Sequence, residues 1–153
     1  MRIISGLAGG ISLSVPKGEV RPTTDRVREA LFSILHPLIK HADVLDLFSG
    51  SGAFGLEALS RGARTARMVD ASRASCTTAK ANLSKTGLEG GTVIQGDAVQ
   101  FVKRELTAGR KYGRGKRPPA ESMMWCLPTL PIARGRWTGI LSWNWWKPVW
   151  PVC

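Results

Sequence analysis

The sequence predicts an α/β fold, an open parallel sheet with helices on both faces, and three observations carry it. Val44-Leu45-Asp46-Leu47 is a short apolar run broken by one carboxylate. The glycine-rich turn Gly50-Ser51-Gly52-Ala53-Phe54-Gly55 follows it, and a helical pattern starts at Ala53 and runs through Leu56, Ala58 and Leu59. Two further strand-like runs, residues 65–70 and 92–98, deliver Asp70 and Asp97. Strand, glycine turn, helix and strand make a Rossmann-like, doubly wound unit, in which ligands sit at the carboxyl ends of the strands.

The other elements follow in order. Arg2-Ile3-Ile4-Ser5 reads as a short strand, and Ile11-Ser12-Leu13-Ser14-Val15 alternates with period two, so the chain should open with a β-hairpin ended by Pro16-Lys17-Gly18. The segment 21–35 predicts a helix capped by Thr24 or Asp25. Its apolar stripe would be Val27, Ala30, Leu31, Ile34 and Leu35, with a boundary at His36-Pro37. Arg21, Arg26 and Arg28 lie near its start, an end of the helix dipole that does not favour cations. They are either a solvated face or contacts to phosphate. Gly62 closes the helix after the glycine turn, residues 74–83 form another helix, and residues 87–91 are a loop. His36 and His41 have no nucleophile or ligand cluster near them, and no metal site is expected.

The totals bound the function. At 153 residues the chain is long enough for one domain with a real core. A formal charge of +11 favours a polyanionic partner such as nucleic acid. Cys76, Cys126 and Cys153 show no paired ligand spacing and suit a reducing cytoplasm. With no signal peptide or long apolar span, a cytoplasmic protein without membrane contact is expected.

The glycine turn alone admits three readings: a dinucleotide site, a nucleoside-amino-acid site, or a structural turn. Asp46 separates the first two. A carboxylate at the strand's end would repel pyrophosphate but can hold the ammonium of an amino-acid moiety. The D-x-F-x-G-x-G pattern of Asp46, Phe48, Gly50 and Gly52 resembles motif I of S-adenosylmethionine (SAM)-dependent methyltransferases. Asp70 comes twenty residues after Gly50, where an acid reaches ribose hydroxyls, which suits NAD and SAM alike. Asp97 can accept a hydrogen bond from an adenine amine. Isolated strand-end aspartates are usually caps or turn formers, but three beside one glycine loop favour a ligand.

From Met1 to about Tyr112 the chain resembles the bacterial 16S rRNA guanine-N2 methyltransferase family. The resemblance rests on the opening Met1-Arg2-Ile3-Ile4-Ser5-Gly6, on Arg21-Pro22-Thr23 with Arg26-Val27-Arg28-Glu29-Ala30-Leu31-Phe32, on motif I with Leu56-Glu57-Ala58-Leu59-Ser60-Arg61-Gly62, and on Gln95-Gly96-Asp97-Ala98. It implies methyl transfer from SAM to a guanine amine in 16S rRNA or the small ribosomal subunit, by an enzyme expected to be a monomer. Asp46, Phe48, Gly50, Ser51 and Gly52 would form the methionine side of the cofactor site. Asp70 would bind ribose, and Asp97 with Ala98 the adenine. Arg2, Arg21, Arg26 and Arg28 would help hold RNA. Leu7-Ala8-Gly9-Gly10 is poorer in basic residues than the family usually is there. The family's catalytic D-P-P-Y, whose Asp and prolyl backbone orient the guanine amine while the Tyr stacks on the base, does not occur in this chain. No catalytic residue is therefore assigned.

After Tyr112 the sequence changes character. All six tryptophans and six of the nine prolines lie beyond it, and neither periodicity persists. The chain thus divides into residues 1–112, the first part of the domain, and an aberrant tail, 113–153, with the sheet expected to stop after about its third core strand. A basic aromatic tail could bind single-stranded RNA. The genetic code offers another account. Met123-Met124-Trp125-Cys126 requires ATG ATG TGG TGY, which forces D-V-V when read from the third base of the first ATG. Permitted codons through Ile132 continue as F-A-D-P-P-Y. A frameshift between Tyr112 and Met123 would place the missing motif where the family carries it. NAD-dependent oxidoreduction and non-catalytic RNA binding remain the alternatives.

Overall fold

A computed structural model describes residues 1–16, 24–109 and 125–128. The chain order is α1 (Asp25–Ile39), β1 (Asp43–Leu47), α2 (Ala53–Ser60), β2 (Thr65–Asp70), α3 (Arg73–Thr86), β3 (Gly91–Gln95), α4 (Ala98–Gly109) and β4 (Trp125–Pro128). The strands form one parallel sheet in the order β3-β2-β1-β4. In β1, Val44 and Asp46 face α2, while Leu45 faces α4 through Val69 and Phe101. Both faces of the strand are therefore covered, which is why it reads as a nearly continuous apolar run.

The first core packs Phe32, Leu35 and Ile39 of α1 and Phe54, Ala58 and Leu59 of α2 onto Val44 and Ala66. A second joins Ile3, Ala8 and Leu13 to Leu56 and Met68. The N-terminal hairpin is present as a short antiparallel pairing with one bridge, Arg2 to Ser12. Ile3 N–H donates to Ile11 O, Gly10 N–H to Ile3 O and Leu13 N–H to Met1 O, each at 2.9 Å. Its turn fits because Gly6 has φ +89° and no side chain; a Cβ there would stand 1.9 Å from Ser60 O.

Three expectations from the sequence are corrected, two of them in α1. The stripe on α1 is not Val27, Ala30, Leu31, Ile34 and Leu35: Val27 and Ile34 are 57% and 74% exposed, and the buried face is Arg28, Phe32, Leu35 and Ile39. That face contains an arginine, so an apolar-only pattern selects the wrong register. The helix also runs through Pro37 to Ile39, because Ile39, 1% exposed, is anchored in the core and outweighs one lost backbone hydrogen bond. Thr24 caps the start, accepting from Val27 N–H.

The sheet does not stop at three strands. β4 pairs in parallel with β1, Val44 opposite Trp125, Asp46 opposite Leu127 and Leu47 opposite Pro128. The N–H and C=O groups along β1 require partners on that side, and the backbone of β4 supplies them. The α2 helix ends as the sequence predicts. Gly62 N–H bonds Leu59 O and Ala63 N–H bonds Ala58 O, with Gly62 at φ +97°.

Candidate functional site

The carboxyl edge of the sheet gathers the three acids. Asp46 stands one residue before the end of β1, Asp70 ends β2, and Asp97 lies just past β3. Among the described residues none of the three is in an ion pair. Asp43, at the other end of β1, is by contrast bonded by Arg64 and Thr65, which hold its carboxyl below the usual range.

Asp46 is fully buried. Its Oδ2 accepts the Gly55 N–H at 3.0 Å, giving the first turn of α2 the cap that Gly52 cannot provide. Its Oδ1 is buried without a partner. Burial pushes the carboxyl up to about 7; the Gly55 N–H works against that rise and the nearby Asp70 charge adds to it. Ser49, 7% exposed, likewise has an unpartnered hydroxyl. Two orphaned polar atoms beneath one glycine turn fit a polar ligand better than an empty structural turn.

The turn itself is held in unusual backbone. Phe48, 40% exposed, adopts φ +61°, a conformation that costs a non-glycine residue about 1–3 kcal/mol and gathers at functional sites. Gly50 and Gly52 have φ +52° and +80°, and a Cβ on Gly52 would meet Met68 Sδ at 2.9 Å. Gly50 N–H donates to Asp70 Oδ2 at 2.8 Å, and Asp70 Oδ1 accepts Ser72 N–H at 2.8 Å. Each oxygen keeps a second lone pair for a hydroxyl. Ser51 is buried; its hydroxyl donates to Met1 Sδ at 3.6 Å and its carbonyl accepts from Asn82 Nδ2 at 2.9 Å. Asp97, exposed, accepts Gln100 N–H at 2.8 Å and so caps α4, while Ala98 is buried at 3%. The structure thus brings Asp46, Phe48, Gly50, Ser51 and Gly52 together with Asp70, and leaves Asp97 at the rim as a helix cap.

The basic candidates separate. Arg2 has a side chain 67% exposed, 3.7 Å from Asp25, and Arg26 is exposed. Arg21 lies outside the described residues. Arg28 is corrected: it is 1% exposed and bonds Arg2 O and Asp25, so its side chain does not reach an external phosphate. Burial lowers its pKa, while Asp25 and Glu57 oppose that. Sequence reading missed Ser49, Glu57 and Asn82, whose roles appear only once α2, α3 and the hairpin meet. No helix of the described residues is long and apolar enough to cross a membrane.

Residues 1–113 match the family described as conserved hypothetical protein 95. Ribosomal RNA small subunit methyltransferase D of Escherichia coli K12 is 44% identical over 108 residues, 70% of this chain and 54% of that one. The chain spans about half the length of the curated relatives it matches. The structure of a hypothetical protein from Thermus thermophilus is similar with a TM-score of 0.65 and 36% identity, over 71% of this chain and 63% of that one. A SAM-dependent methyltransferase from Agrobacterium tumefaciens gives 0.51 and 33%, over 59% and 29%. By the match over its first 113 residues, and by the glycine turn and strand-end acids within them, the chain belongs to the conserved hypothetical protein 95 family, which includes the ribosomal RNA small subunit methyltransferase D proteins.

Proposed function

We propose that this chain derives from a cytoplasmic, monomeric enzyme that uses SAM to methylate the exocyclic N2 of a guanine in 16S rRNA, free or in the small ribosomal subunit. The observation that carries the reading is Asp46, a buried carboxylate under a glycine turn with one oxygen unpartnered. An ammonium satisfies that oxygen, whereas the pyrophosphate of NAD would be repelled by it. Asp46 holds the ammonium, Phe48, Gly50, Ser51 and Gly52 shape the methionine side, Asp70 accepts from ribose, and Asp97 with Ala98 meets adenine. When bound, SAM supplies an electrophilic methyl group. Arg2, Arg21 and Arg26 attract the RNA backbone, a sequence-independent contribution. The name of the Escherichia coli relative supports the RNA substrate.

Residues 125–132 of this chain contain no Asp and no Tyr, so the groups that would orient the guanine amine are missing. We infer that residues 113–153 are read out of frame. In the neighbouring frame the Asp of D-P-P-Y spans the codons of Pro128 and Thr129. Pro128 ends β4 opposite Leu47, at the same edge as Asp46, and that position supports the frameshift. Resequencing the DNA across the codons for Tyr112 to Ile132 tests it. A miscounted base restores the motif, and the restored chain should transfer tritiated methyl from SAM to 16S rRNA while the 153-residue chain does not. Turnover by the 153-residue chain would overturn the reading, as would salt-dependent RNA binding by a restored chain that is indifferent to SAM.

A further inference from the structure

Asn82 lies in α3 with 1% exposure and spends its whole amide on two segments far away in sequence. Its Oδ1 accepts Ser14 N–H, and its Nδ2 donates to Ser14 O and to Ser51 O, each at 2.9 Å. One side chain thereby joins the N-terminal hairpin to the middle residue of the glycine turn. The peptide between Ser51 and Gly52 is fixed at both ends, since Gly52 N–H donates to Ser49 O at 2.7 Å. Met1 adds a weaker second tie through the Ser51 hydroxyl. Lys85 reaches the hairpin too, donating to Ser12 O at 2.8 Å, but is not among the groups bonded to the turn.

We propose that Asn82 is a positioning residue that locks the glycine turn to the hairpin, so that a ligand in the turn and the order of the hairpin are thermodynamically linked. A buried carbonyl must keep its donor, so loosening the hairpin at Ser14 also loosens the Ser51–Gly52 peptide. By linkage, a ligand that orders the turn also protects the hairpin. The hairpin carries Arg2, so occupancy of the cofactor turn would also stiffen the surface offered to RNA. This rests on the SAM reading only for the identity of the ligand.

The test uses the 153-residue chain and two measurements. In ligand-free hydrogen exchange, Asn82→Ala should raise exchange at Ser14 and Gly52 together, by about tenfold or more, whereas Lys85→Ala should spare Gly52. A rise at Ser14 with Gly52 unchanged would make Asn82 an ordinary hairpin anchor and overturn the proposal. In titration with S-adenosylhomocysteine, Asn82→Ala should bind about tenfold more weakly, with Lys85→Ala within about twofold of the parent. Saturating ligand should protect the Ser14 amide in the parent and not in the variant. Unchanged affinity in Asn82→Ala would also overturn it. Should Asn82→Ala fail to fold, Asn82→Asp at pH 8 keeps the acceptor for Ser14 N–H while losing the donor to Ser51. If the parent itself does not bind S-adenosylhomocysteine, the SAM reading fails, and ligand-free exchange alone decides the role of Asn82.

Discussion

Arg28 Nε stands 4.0 Å from Glu57 Oε2, with the two side chains 1% and 0% exposed. The Glu57 carboxylate also accepts Ile4 N–H at 2.7 Å, Ser5 N–H at 3.2 Å and Arg61 Nε–H at 2.7 Å. Three pieces of chain, the hairpin, α1 and α2, therefore close on one buried anion. Removing it by Glu57→Ala leaves buried donors and cations without a partner and should cost about 3–5 kcal/mol. Arg28→Met should cost clearly less, because Arg28 Nε and Nη1 already lack hydrogen-bond partners and Met refills much of the volume. Urea denaturation of the two variants checks the order, and equal losses would refute it.

Glycine positions with similar backbone should respond differently. Gly10 has φ +87° with nothing within 4 Å of an added Cβ, so Gly10→Ala pays only the left-handed backbone cost of about 1–2 kcal/mol. Gly52 has φ +80°, and its added Cβ would press on Met68 Sδ at 2.9 Å and Ala79 Cβ at 3.2 Å. Gly52→Ala should be destabilised further and should also weaken S-adenosylhomocysteine binding, since the turn must shift. A Gly52→Ala chain as stable as Gly10→Ala would contradict this packing.

The central unit was legible because its signals are local. An apolar run ending in an acid, a glycine turn, and Gly62 as a stop signal together define β1, α2 and their connection. The C-terminal end of α1 and the strand β4 were not, because Ile39 and β1 impose them through tertiary contacts. The candidate site was legible in its acids and glycines. Asn82 and Glu57 were not, since a buried polar residue in a helix carries no periodic signal and, Arg61 apart, the partners lie in other elements: Ile4, Ser5 and Arg28 for Glu57, Ser14 and Ser51 for Asn82. Arg28 shows the opposite failure, a local charge pattern that reads as surface while tertiary packing buries it.

Asp46 should give pH dependences of opposite sign for folding and for binding. Burial holds its carboxyl at about 7, against 3.8 ordinarily. Between those values the unfolded chain is ionised while the folded one keeps its proton. The ligand-free chain therefore loses stability as pH rises through that window, by about 4 kcal/mol in all, and no further above it. Binding of an ammonium needs the carboxylate, so SAM affinity should rise over the approach to pH 7 and level off beyond. Asp46→Asn should flatten both profiles and bind weakly throughout. Urea unfolding and ligand titration at pH 5 and pH 8 check both signs, and parallel profiles in parent and variant would contradict them.

Among the arginines, exposure should predict function. Arg26→Ala should weaken RNA binding and reduce the slope of log affinity against log salt by about one. Arg28→Met, which removes a buried charge, should leave the slope unchanged if the chain stays folded. A slope that falls with Arg28 and not with Arg26 would refute this assignment.

The central claim is that the glycine turn and the acids at the strand ends hold SAM. Equilibrium dialysis of the 153-residue chain against labelled SAM and labelled NAD, at pH 8, tests it most directly. Saturable SAM binding that S-adenosylhomocysteine displaces, that Asp46→Asn strongly weakens and that NAD does not compete is the expected result. Binding of NAD in place of SAM, or SAM binding unaffected by Asp46→Asn, would contradict it.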